Sequence, residues 1–292
     1  MALKVGVAYC EPFTFAALRT LPGGLLLLGL VVLLRRPLRP RPLGLFVIIG
    51  LLQTGGFIGL STAALVAGGA GRTAILANTW QFWILLMAWP ILGERLRGSQ
   101  WISVGLALAG LLLIIEPWNL HGLTSSLLAL GGALCWAAGA IAVKILRRRH
   151  EVDVLALTGW QNLFGSFLLV LIAVLVEGDA PEWSTAFVLS YLYTLIMATC
   201  VASFLWLYVL REMPASLAGL GTMATPVVGL LASWAQLGEQ PTAFEVIGMI
   251  LILGGMSVLF ARTTRSLARD PAGDLLGGEE TAVSRTAEDP GG

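Results

Sequence analysis

Asn78, Thr79 and Gln81 stand together in an otherwise apolar stretch, interleaved with Trp80 and Trp83. Gln161 sits beside Trp160, and Thr222 and Thr225 lead up to Pro226 in another apolar stretch. Amides and hydroxyls can donate and accept hydrogen bonds. Walled by indole rings, they suit reversible binding of a zwitterion, because they match its cationic and its anionic end without carrying charge themselves. Hydrogen bonding between helices is the plainer use of the same groups, worth about 0.6 kcal/mol in membranes. Nothing comparable supports catalysis. His121 and His150 both fall in predicted loops, and Cys10, Cys135 and Cys200 are isolated in apolar surroundings without CxxC spacing. The thiols read as buried small hydrophobes. No Cys/His set has metal-ligand spacing, so no metal or other cofactor is expected. Intramembrane proteolysis would need a Ser and a His within apolar spans, and prenyl transfer would need Asp-rich pairs, so an enzyme is not expected.

The ionisable residues narrow the chemistry further. Such groups are costly at membrane depth and mark functional sites by default. Here Glu11, Glu94, Glu116, Glu212, Glu239 and Glu245 all fall at span ends or in loops. No carboxylate is therefore placed to couple transport to protons at mid-membrane. Arg19 lies inside an apolar span, where it attracts a substrate carboxylate, snorkels to the interface or binds helix-end carbonyls. Lys4 and Lys144 are read as snorkelling. Trp118 and Trp183 suit an interfacial belt, Trp89 and Trp234 suit packing, and Trp136 and Trp206 are deep enough to wall a substrate.

The elements that position these residues follow from composition. Of 292 residues, 57% are hydrophobic and 12% charged, with a net charge of +1. A soluble domain carries roughly 25% charged residues, so this chain lacks the polar groups to coat a water-facing surface. It reads as a membrane protein, with the bilayer as partner and no nucleic acid. A crossing helix needs about 20 apolar residues. Charge-poor spans occur at 12–34, 42–66, 72–92, 98–116, 123–146, 154–176, 183–209, 214–236 and 241–261. Residues 262–292 are polar without an apolar period and read as a disordered tail. Basic loops (Arg35 to Arg41, Glu94 to Arg97, Arg147 to Arg149) alternate with acidic or neutral ones (Glu116 to Asn119, Glu177 to Asp179, Gly238 to Pro241). By the positive-inside rule the basic loops and the C-terminus are cytoplasmic.

The chain also repeats itself. Trp89-Pro90-Ile91-Leu92-Gly93-Glu94 matches Trp234-Ala235-Gln236-Leu237-Gly238-Glu239 at an offset of 145, and Arg19-x-Leu21-x-Gly23 matches Gln161-x-Leu163-x-Gly165 at 142. The second unit holds five helices. Five is odd, so the halves face opposite ways, an arrangement found in transporters with a midplane site. The expected fold is all-α and polytopic, with inverted repeats over 1–118 and 119–261. Only Met1-Ala2-Leu3 precede Lys4, whereas about twenty apolar residues precede Lys144; the first helix of the ten-helix plan is therefore expected to be largely truncated.

With these motifs in order, the chain resembles the EamA family of the drug/metabolite transporter superfamily across residues 1–261. The resemblance rests on the doubled unit and its two Leu-Gly-Glu helix ends. It also rests on Cys135-Trp136-Ala137-Ala138-Gly139 followed by Lys144, and on Thr225-Pro226-Val227-Val228. It implies ten helices in two inverted halves around a central cavity, exporting amino acids, other small metabolites or toxic compounds across the bacterial inner membrane. Gln81 departs from the repeat, standing where the second half has Pro226. The expected function is export of small metabolites, amino acids first, by alternating access of a monomer without proton coupling. A proton-coupled multidrug exporter, a channel and a non-transporting membrane subunit are the alternatives.

Overall fold

In lipid, a backbone must satisfy its own polar groups, which leaves helices or closed barrels. A computed structural model of the chain describes residues 2–68, 70–93, 98–115, 122–202, 205 and 242–269. Among them there are helices and no strand. In order, these are α1 (Ala2–Gly6), α2 (Pro12–Leu33), α3 (Leu43–Ala67), α4 (Ala70–Leu92), α5 (Ser99–Ile115), α6 (Leu123–Arg149) and α7 (Val154–Val176). They are followed by α8 (Thr185–Leu192, prolonged by the π-helical Tyr193–Val201) and α9 (Ala243–Arg269). Helices α2, α3, α4, α6 and α7 are long and apolar enough to cross a bilayer. The chain is an all-α polytopic membrane protein.

Local chemistry sets the helix ends. Pro12 opens α2 at the first turn, where its missing N–H costs nothing. Asp153 caps α7 by accepting from Ala156 N at 2.9 Å, and Ser184 caps α8 by accepting from Phe187 N at 3.2 Å. Gly93 ends α4 at φ +70°, a left-handed conformation that favours glycine. The glycine of the first Leu-Gly-Glu motif is thus a helix terminator. Arg72 closes α5 from a distance, its Nε donating to Ile114 O at 3.0 Å.

Two expectations are corrected or bounded. Helix α9 continues to Arg269, eight residues past the boundary expected at 261. No Gly or Pro interrupts the chain between residue 261 and Pro271. Residues 270–292, the span at 214–236, and with it Thr222, Thr225, Pro226 and Trp234, lie outside the described residues, as does Trp206.

Packing sorts the loops by charge. At one end Arg36 pairs with Asp153 at 2.8 Å, joining the basic 34–42 connection to the start of α7. At the other end Glu177, just past α7, reaches the N-terminus of α2. Its Oε1 accepts from Phe13 N at 2.8 Å, and its Oε2 accepts from Thr14 N at 2.7 Å and Thr14 Oγ1 at 2.8 Å. Backbone N–H groups in a first helical turn have no partner in their own helix, so a carboxylate 164 residues away in sequence supplies one. Glu177→Ala is expected to cost about 2 kcal/mol, the scale of hydrogen bonds to a charged group. A lowered melting midpoint in detergent, with Asp179→Ala unchanged, is the expected result; equal midpoints for the two variants would contradict it.

Helices α2 and α7 run antiparallel along each other. Thr14 meets Glu177, Ala17 packs by Leu169, and the space beside Gly24 is filled by Asn162 and Leu163. Helices α5 and α9 also cross antiparallel. A Cβ on Gly110 would stand 2.5 Å from Gly248 O, and one on Gly255 would stand 2.8 Å from Ser103 O. Small residues permit such backbone approach in membranes. Helix α3 packs on α6 and α7, while α8 packs on α1 and α2. Both α3 and α8 carry a nine-residue π-helical segment, Gly50–Ile58 and Tyr193–Val201, starting 143 residues apart.

Candidate functional site

Helix α4 is interrupted where the polar cluster sits. Its two straight parts, Ala70–Ala77 and Trp80–Leu92, are joined through Asn78 and Thr79. There the backbone bonds tighten to three-residue spacing, with Thr79 N donating to Leu76 O at 3.1 Å and Phe82 N to Thr79 O at 2.9 Å. The side chains drive this. Asn78 Nδ2 donates to Ala74 O at 2.7 Å and Thr79 Oγ1 to Leu76 O at 2.6 Å, competing with the regular ladder. Interrupted helices are where many transporters place their binding sites.

The break divides the cluster between two faces. Thr79 Oγ1 also accepts from Trp83 Nε1 at 3.2 Å, and both residues lie with Phe82 and Leu86 against Val104, Ala107 and Leu111 of α5. That face is packed. Trp80 turns the other way, its ring 6.1 Å from that of Trp136 on α6, which lies 4.7 Å from Phe57 on α3. Gln81 follows Trp80. Its side chain is 6% exposed, and neither Oε1 nor Nε2 has a hydrogen-bond partner. Buried polar groups are almost always paired. The other buried side-chain polar atoms without a partner among the described residues are Arg19 Nε, Ser61 Oγ and Thr73 Oγ1. All four residues lie on consecutive helices, α2, α3 and α4.

Trp160 and Gln161 do not join this cluster. Trp160 stacks on Phe164 with ring centres 5.3 Å apart, and its Nε1 donates to Leu38 O at 2.6 Å. It anchors the basic connection to α7. Gln161 is half-buried, and its carbonyl backs onto Gly50 of α3. The polar bridge between α3 and α7 is instead the buried Thr54 Oγ1–Asn162 Oδ1 bond of 3.1 Å. Sequence reasoning missed Phe57, which carries no signal beyond its aromaticity. It also missed Glu177 as a cap, because the partner is remote in sequence.

A groove of about 400 Å³ opens between α2 and α7 at the acidic end and is lined by Leu18, Leu21, Val170, Val174 and Glu177. Val174 is 74% exposed, so this groove faces outward and is distinct from the half-buried Trp80–Trp136–Phe57 layer. Cys10 lies at the same end, packed with Phe15 and Phe187. Burial, with the Glu177 and Glu11 carboxylates nearby, pushes its thiol up to about 11. The thiolate is the reactive form, and it is scarce well below pH 11. In a Cys135→Ala, Cys200→Ala variant, maleimide at pH 7.5 is expected to leave Cys10 unmodified in the folded protein. Complete labelling within minutes would contradict that.

The comparisons agree with this architecture. The model of the EamA-like transporter family matches residues 1–116 and 123–261. The chain belongs to that family. It is 27% identical to the uncharacterized transporter YoaV of Bacillus subtilis, over 88% of this chain and 89% of that one. It is also 27% identical to a probable amino-acid metabolite efflux pump of Salmonella typhimurium, over 92% of both chains, and 26% identical to a protein of the same name in Escherichia coli. A crystal structure of 21% identity superposes with a TM-score of 0.62, covering 88% of this chain and 92% of the other. At that identity the likeness shows the fold. As a family, the EamA-like proteins are transporters and not enzymes.

Proposed function

We propose that this EamA-like transporter exports small metabolites, amino acids first, by alternating access of two inverted halves in a bacterial inner membrane, with the basic end cytoplasmic. The observation that carries the reading is the unpartnered Gln81 amide at the α4 break, beside the Trp80–Trp136–Phe57 aromatic layer. An amide and indole walls suit the binding of a zwitterion, and two relatives are named as amino-acid metabolite efflux pumps. The antiparallel crossings of α2 with α7 and of α5 with α9, and the π segments 143 residues apart, support inverted halves. Transport proceeds down the substrate gradient. Its support is the position of Glu11, Glu177, Asp179 and Glu182, all outside the spans.

The test is uptake of pooled radiolabelled amino acids into proteoliposomes. Saturable uptake that weakens in Gln81→Ala, and less so in Asn78→Ala, supports the assignment. If both variants leave every tested amino acid unchanged in affinity and rate, the site is elsewhere.

A further inference from the structure

Arg19 is a cation held inside the bundle for which the described residues provide no counter-ion. It lies seven residues into α2, on the face that carries the buried Phe15 and Gly23 four residues to either side. Its Nε is buried without a hydrogen-bond partner. Arg19 as a whole is half-buried, and this enclosed nitrogen lies on the inward face of α2. Burying an unpaired charge is expensive, so an arrangement of this kind makes sense when something else completes it.

Contacts relate Arg19 to the neighbouring helices. Ala16 and Ala17 pack with Ile58 of α3 and Leu169 of α7. Arg19 is two or three residues further along, about 3–4.5 Å at helical rise. Next to Ile58, Phe57 touches Trp136, and Trp136 touches Trp80, which precedes Gln81. A continuous set of contacts thus links the segment of α2 before Arg19, through α3 and α6, to the segment of α4 that carries Gln81. The contacting segments, residues 13–23, 54–61, 76–86 and 132–140, hold one cation and no carboxylate.

We propose that Arg19 is the anion-binding residue of the transport site and that the transported molecules carry a carboxylate. A guanidinium fork matches a carboxylate in two parallel hydrogen bonds. The Gln81 amide then meets a second polar group of the same molecule, and the aromatic layer covers its apolar part. One cation balances one negative charge, which favours a carboxylate over a phosphate monoester carrying nearly two. This inference rests on the proposed location of the transport site and names what that site selects.

The experiment measures thermal unfolding of the purified full chain in detergent against amino acids, the matching amino-acid amides, simple monocarboxylates and phosphate monoesters. Carboxylates are expected to stabilise the wild-type protein, with the matching amides about tenfold weaker in apparent affinity. Arg19→Gln erases the difference between acid and amide. Arg19→Lys, which keeps the charge and loses the fork, weakens the acids and leaves the amides alone. The inference is overturned if the wild-type protein does not prefer acids to amides, if phosphate esters bind more tightly, or if either variant keeps the full preference. Should Arg19→Gln fail to fold, the wild-type comparison and Arg19→Lys decide the matter. Stabilisation by monocarboxylates but by no amino acid would retain Arg19 as the anion site and refute amino-acid transport. Unchanged amino-acid flux in Arg19→Gln would do the reverse.

Discussion

Gly165→Leu is expected to leave little folded protein. Gly165 on α7 sits against Gly50 O, Thr54 Cβ and Gly55 N of α3, so a side chain there would meet backbone. Backbone cannot rotate aside as a side chain can, and the α3–α7 crossing would have to open, breaking the Thr54–Asn162 bond with it. Overpacking a close contact costs about 1–3 kcal/mol and occasionally more. Here the upper end is expected, because main chain on one helix meets main chain on the other. Gly29→Leu is the control, since nothing lies within 4 Å of a Cβ at Gly29. That change adds helix propensity at no steric cost. The measurement is the monodisperse fraction by size exclusion and the melting midpoint. Equal yields and midpoints for the two variants would show that the crossing is looser than described.

Gln81→Leu is expected to raise stability while reducing transport. The amide is buried and unpartnered, and a polar group in that condition costs about 1–3 kcal/mol. Leucine fills nearly the same volume without that cost, whereas alanine would add a cavity term. The melting midpoint should therefore rise in Gln81→Leu, and substrate affinity should fall about tenfold or more, the value of one good hydrogen bond. A residue retained for the fold would behave in the opposite way, losing stability when replaced. A lower midpoint together with unchanged flux would assign Gln81 to structure.

Much of the helical plan was legible because lipid leaves the backbone few choices. The expected span at 154–176 is the observed α7, and 12–34 differs from α2 by one residue. Gly93 and the charged ends punctuate these runs in ways a sequence displays. The interruption at Asn78 and Thr79 has no Gly or Pro to announce it. It arises from two side chains bonding back to carbonyls of their own helix. The π segments were not legible either, since glycines at 50, 55 and 56 settle against α6 and α7 only once the bundle has assembled. For the site, residue type singled out the stretch of α4 where the helix is interrupted. It could not show that Thr79 and Trp83 face α5 while Gln81 is left unpaired. Trp160 had the composition of a site wall, and its indole is engaged with Leu38 O.

We propose that the bundle is a carrier operating without proton coupling. Counterflow in proteoliposomes tests it most directly, with an unlabelled amino acid preloaded inside and the labelled one outside, run with and without an imposed pH gradient. Saturable uptake, accelerated by internal substrate and indifferent to the gradient, is the expected result. Uptake that rises linearly with concentration and ignores internal substrate would indicate a channel. Uptake that appears only with the gradient would require a proton-coupling group and contradict the account.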